Sequence, residues 1–84
     1  MGYTKPANDF LVSVLENDKE NPIVRHEAAE GLGNMYHDGN FKILEKYCKH
    51  SNEIIRQSCI LAFQKLKNKE LCKERCGLRF SKTQ

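Results

Sequence analysis

The stretch Asn21-Pro22-Ile23-Val24-Arg25-His26-Glu27-Ala28-Ala29-Glu30-Gly31-Leu32-Gly33-Asn34-Met35 decides the fold. It reads as one helix with a marked start. Asn21 offers a side-chain oxygen to a free backbone N–H at the N-cap. Pro22 suits the first helical position, where its missing N–H has no intrahelical partner to lose. Val24, Ala28, Leu32 and Met35 recur at i, i+4, i+8 and i+11, an apolar stripe at helical period. His26 and Glu27 stand next to each other in the first turn, about 100° apart around the axis. An imidazole and a carboxylate so placed can face one metal ion where that side of the helix borders a hollow. Glu30 lies one turn beyond His26, in place to support its ring.

Outward from this helix the apolar periodicity predicts four more helical segments. The first runs from about Lys5 to Asn17, with Phe10, Leu11, Val14 and Leu15 on one face. A polar connector, Glu16-Asn17-Asp18-Lys19-Glu20, leads into the second helix, which extends to about Tyr36. His37-Asp38-Gly39 forms a turn. Asn40 then caps a third helix presenting Ile43, Leu44, Tyr47 and Cys48. Asn52 caps a fourth that carries Ile55, Cys59, Ala62, Phe63 and Leu66. Past Leu66 the stripe falls onto Lys69, Glu70 and Lys73, which predicts a bend near Asn68 and a short fifth helix at 69–76. Residues 77–84 read as a basic disordered tail.

The chain also repeats itself. A displacement of 31 positions lays the second helix on the fourth: Asn21 meets Asn52, Val24 meets Ile55, Arg25 meets Arg56, Ala28 meets Cys59 and Met35 meets Leu66. The first and third helices align better at 33. Helical pairs at this spacing predict an all-α fold, a short HEAT-like α–α solenoid of about two and a half pairs, with repeats at about 5–36 and 40–67. Such arrays normally need about three repeats to cover their ends, so the face beside the first helix should be adhesive. The slots of His26 and Glu27 hold Gln57 and Ser58 in the next repeat, so the scaffold itself does not demand a His-Glu pair.

The run Val24-Arg25-His26-Glu27-Ala28-Ala29-Glu30-Gly31-Leu32-Gly33 resembles the His-Glu motif of the deoxyhypusine hydroxylases, and Glu53-Ile54-Ile55-Arg56-Gln57-Ser58-Cys59-Ile60-Leu61-Ala62 is similar to that family's closing repeat. The resemblance is to the C-terminal portion of a family member. It implies HEAT-type repeats around two iron ions and a monooxygenase that hydroxylates a deoxyhypusine side chain on a translation factor with molecular oxygen. It assigns His26 and Glu27 to Fe(2+), with Glu30 in support. The family uses four His-Glu pairs and this chain has one, which implies a partial protein, inactive alone. Its other ligands would then come from self-association or from a complementary HEAT-repeat chain. Gly31 stands where the family usually has Ala. The rival reading is a non-catalytic HEAT-repeat module for protein–protein interaction. A weaker alternative is a relative of the phycobilisome lyases, built on similar repeats.

Composition narrows the other classes. Eighty-four residues make one small domain with a limited core: 39% are hydrophobic and Trp is absent. No run approaches the roughly 18 apolar residues of a membrane span, and the first residues lack the apolar core of a signal peptide, so a cytoplasmic protein is expected. Met1-Gly2 begins like a myristoylation site, but Pro6 stands where Ser or Thr is required. Cys48, Cys59, Cys72 and Cys76 are expected as free thiols in a reducing compartment. A zinc site from Cys48, His50, Cys72 and Cys76 would need ligand spacings unlike those of common zinc knuckles. Net charge is +3 and uneven: the first 64 residues carry nine Asp and Glu against seven Lys and Arg, the last twenty seven Lys and Arg against two Glu. Only Phe80 interleaves those C-terminal charges, so no stacking platform for nucleic acid is expected.

Overall fold

The structure is a computed structural model that describes residues 3–78, with side chains described through Leu71. Four helices follow in order: α1 Lys5–Glu16, α2 Pro22–Asn34, α3 Asp38–Tyr47 and α4 Glu53–Leu78. α1 packs on α2 and α3 on α4, and the two pairs stack mainly through α2 against α4, the most extensive contact of the described residues. This is the short all-α solenoid that the repeat predicts. No described helix is long and apolar enough to cross a membrane.

The starts of α2 and α4 follow the sequence. Asn21 accepts the Ile23 N–H at 2.8 Å, and Asn52 accepts the N–H groups of Ile54 and Ile55 at 2.9 and 3.3 Å. Each cap satisfies donors that the first turn leaves orphaned. The core is Leu15, Ala28, Ala29, Leu32, Leu44, Ile55, Cys59, Ala62 and Leu66. Cys59 behaves as a small apolar residue: burial, with a smaller contribution from Cys48, pushes its thiol up to about 12.

Several expected positions shift. Val24 is 41% exposed while Arg25 beside it is 4% exposed, so the buried face of α2 is turned by one residue. Arg25 belongs inside because its Nε donates to the Leu15 carbonyl at 2.9 Å and its guanidinium lies 5.8 Å from the Tyr47 ring centre. Ile55, the repeat mate of Val24, is 1% exposed and belongs to the core. Nothing among the described residues covers the matching face of α2. Phe10 is likewise 65% exposed, and the inner face of α1 takes Asn8 with Leu15 instead.

Asn40 does not cap α3. His37 does, its Nδ1 accepting the Gly39 N–H at 3.2 Å while Tyr3 stacks on the ring at 4.4 Å. Asn40 is buried and tied to Asn8 by two reciprocal amide bonds of 2.7 and 3.0 Å, and its Nδ2 also reaches the carbonyls of Leu32 and Met35. A buried amide with all its groups engaged locks α1 to α3 and closes the end of α2.

The expected break at Asn68 and the separate helix at 69–76 are absent; α4 runs unbroken for 26 residues. Losing the apolar phase removes a packing partner but not a helical propensity. Lys, Glu, Leu and Asn continue a helix, and neither Pro nor Gly intervenes before Gly77. Residues 79–84 of the predicted tail lie outside the described residues.

Two glycines of α2 sit close to neighbours, with different tolerances. A Cβ on Gly33 would fall 2.9 Å from Ala62 Cβ and 3.0 Å from Ala62 Cα, against the body of α4. A Cβ on Gly31 would meet Leu11 Cδ1 at 2.8 Å, the far end of a side chain that can rotate away. Overpacking typically costs about 1–3 kcal/mol, whereas Gly to Ala within a helix gains about 1 kcal/mol. Gly33→Ala should therefore lower the melting temperature, by about 4–8 °C for each net kcal/mol lost. Gly31→Ala should leave it unchanged or raise it; thermal melts followed by circular dichroism check both.

Candidate metal centre

The stacking of α2 on α4 opens a groove of about 370 Å³ between them. His26 and Glu30 line it from α2, and Ser58, Leu61 and Lys65 from α4. The i, i+4 relation of His26 to Glu30 puts both on one side of the helix. Glu27, a third of a turn away, is exposed and stays outside the groove wall. Of the expected inward-facing pair, then, the imidazole meets the groove and the carboxylate stands at its rim.

His26, Glu27 and Glu30 nevertheless form one cluster, with a ligand atom from each lying within 4.8 Å of the others. Metal–nitrogen and metal–oxygen bonds of about 2.0–2.2 Å span at most about 4.4 Å between two ligands. The two glutamates are exposed, so their side chains have the rotamer freedom to close that small difference. Imidazole with carboxylate is a donor set suited to iron in either common oxidation state. The residues present therefore fit such an ion in part: three donors come from one turn of α2, and its other positions face away from that helix.

The His26 ring is held by Ser58 rather than by Glu30. His26 Nδ1 and Ser58 Oγ are 2.5 Å apart, and Ser58 Oγ also donates to the Ile54 carbonyl at 2.5 Å. Ser58, from the next repeat, thus reaches the ring, and Glu30 offers an oxygen of its own to the cluster. His26–Ser58 and Asn8–Asn40 both join residues 32 apart, an offset that the stacking of the two repeats creates. The other histidines serve helix starts. His37 caps α3, its Nδ1 accepting the Gly39 N–H, and His50 Nδ1 accepts the Asn52 N–H at 2.9 Å. The zinc alternative rests on Cys72 and Cys76, whose side chains lie outside the described residues.

A family model of HEAT repeats matches residues 8–73. The chain belongs to the HEAT repeat family. Within these HEAT repeats it is 44% identical over 62 residues to deoxyhypusine hydroxylase-B of Oryza sativa subsp. japonica, covering 74% of this chain and 20% of that protein. It is 46% identical over 52 residues to the deoxyhypusine hydroxylase of Schizosaccharomyces pombe, covering 62% and 16%. It is 44% identical over 69 residues to that of Candida albicans, covering 79% and 22%. The chain thus spans about a fifth of the length of the curated relatives it matches. No solved structure matches it.

Proposed function

We propose that these HEAT repeats contribute one part of a deoxyhypusine hydroxylase-like iron centre in the cytoplasm, inactive until other helices supply the missing ligands. The observation that carries this reading is the His26-Glu27-Glu30 cluster at the mouth of the α2–α4 groove, in a chain so similar to named deoxyhypusine hydroxylases. His26 gives the nitrogen ligand and Glu27 an oxygen ligand, with Glu30 beside them as a further oxygen or a support. Bound Fe(2+) would supply activation of molecular oxygen for hydroxylation of a deoxyhypusine side chain on a translation factor. The α2–α4 groove would seat a long side chain beside the cluster. Glu27 and Glu30 would draw in a cationic substrate loop and keep it in register. The balance of acids over bases in the first 64 residues supports the same electrostatic fit.

A second reading, a non-catalytic module for protein–protein contact, draws on a different observation. Phe10, Ile23 and Val24 of the first helical pair are 65%, 55% and 41% exposed, and solenoid ends of this kind gain by being covered. Self-association or a complementary HEAT-repeat chain would cover them, and on the first reading would also bring the missing ligands.

Two measurements separate the readings. Ferrous iron added anaerobically to the purified chain should bind to it, or to its self-assembled oligomer, in simple stoichiometry. His26→Ala should weaken that uptake by about tenfold or more; no uptake in either form leaves the module reading. Sedimentation velocity over a concentration series should show association that the Phe10→Lys, Val24→Lys double variant abolishes. A wild-type chain that stays monomeric throughout argues against any covering of this end by a second copy.

A further inference from the structure

Ser58 has one hydroxyl proton, and two neighbours lie within hydrogen-bond distance of its Oγ. One is the Ile54 carbonyl oxygen at 2.5 Å, the other is His26 Nδ1 at 2.5 Å. A carbonyl oxygen only accepts, so the contact with Ile54 is a bond only if Ser58 donates its proton there. This is the back-bond to the i−4 carbonyl that serine makes readily within a helix. The hydroxyl then has lone pairs alone to offer His26, and the 2.5 Å contact is favourable only if His26 Nδ1 carries a hydrogen. The opposite arrangement, with Ser58 donating to Nδ1, would press two lone-pair-bearing oxygens together at 2.5 Å across a site where Ser58 is only 8% exposed.

We propose that Ser58 is a positioning residue that fixes His26 as its Nδ1–H tautomer and leaves Nε2 as the unprotonated ring nitrogen. The consequence for metal binding rests on the reading of His26 as a ligand; the tautomer itself does not. A neutral imidazole ligates through the nitrogen that lacks hydrogen, and the partner on the other nitrogen selects which one that is. The chain Ile54 carbonyl–Ser58–His26 thus aims a lone pair from the rigid wall of α4, across the helix stack, without help from an acidic residue. His37 and His50 are fixed in the opposite sense. Each accepts a backbone N–H at Nδ1, from Gly39 at 3.2 Å and from Asn52 at 2.9 Å, so each must carry its neutral-form hydrogen on Nε2.

This contrast supplies the test. Long-range proton–nitrogen spectra of the ring nitrogens, recorded on the full, metal-free, ¹⁵N-labelled chain at alkaline pH, should show one histidine of the Nδ1–H type and two of the Nε2–H type. Ser58→Ala should move His26 toward the Nε2–H form and leave His37 and His50 unchanged. Ser58→Thr, which keeps the hydroxyl, should retain the wild-type pattern. An Nε2–H signature for His26 in the wild-type chain, or a His26 signal indifferent to Ser58→Ala, overturns the proposal. In anaerobic ferrous iron titrations Ser58→Ala should weaken binding about 10–100-fold with unchanged circular dichroism. Equal binding by wild type and variant overturns the positioning role. Absence of iron uptake by both, with the Nδ1–H signature in place, removes the metal reading and leaves the tautomer assignment standing.

Discussion

Everything near the site depends on how closely α2 can approach α4. The buried residues of α2 and α4 include several small ones, Ala28, Ala29 and Gly33 on the first and Ser58, Cys59 and Ala62 on the second. At Gly33 the two backbones come so near that a methyl group would strike Ala62. Interiors tolerate neither voids nor overlap, so this spacing leaves little latitude further along the helices. It brings the ring of His26 to the hydroxyl of Ser58, two turns before Gly33 on α2. A wider spacing filled by larger apolar residues would keep a helical stack but carry the imidazole out of reach of α4.

The helices themselves are too short to stand alone. α1, α2 and α3 have 12, 13 and 10 residues, at or below the length at which isolated helices become stable in water. Their ends are instead tied by donors from elsewhere in the chain. Arg25 reaches the Leu15 carbonyl near the end of α1. Asn40 reaches Leu32 and Met35, and Lys69 reaches Asn34, all at the end of α2. Arg56 reaches His50 and Ser51 after α3. Cationic donors at a C-terminus also meet the negative end of the helix dipole. Arg25 and Arg56 perform the same task one repeat apart, which is why the displacement of 31 aligns them. The His26 cluster is therefore mounted on a helix whose far end is anchored by α3 and α4, not on a loose segment.

Local signals were legible in the sequence and interfacial ones were not. Asn21, Pro22 and Asn52 announce helix starts because capping chemistry acts over two or three residues. The repeat in the order of helices was readable for the same reason: it needs only periodicity. Periodicity could not tell Val24 from Arg25 as the inward residue. That choice turns on whether a carbonyl, here that of Leu15, waits inside for a guanidinium. It could not show that Asn40 would be drawn inward by Asn8 and leave capping to His37, because that bond joins residues 32 apart. Nor could an amphipathic stripe that fades after Leu66 reveal that α4 continues, since helix propensity persists where packing ends. In the cluster, His26 and Glu27 were found by motif and Glu30 by helical spacing, but the ring's partner came from the neighbouring repeat.

That last point bears on how motifs in stacked repeats should be read. Laid one repeat on the other, Ser58 falls on the slot of Glu27 and looks like the loss of a motif residue. Stacked in space, it is the neighbour of His26, because residues 32 apart face each other across a repeat of 31. A slot in one repeat thus faces, in the repeat before it, the position next to its own equivalent. Ser58 is a departure from the pattern along the chain and a partner to it across the groove. His26 and Glu27 are adjacent in sequence and about 100° apart around α2, so only the imidazole of the pair lines the groove, while each still brings a ligand atom to the cluster with Glu30.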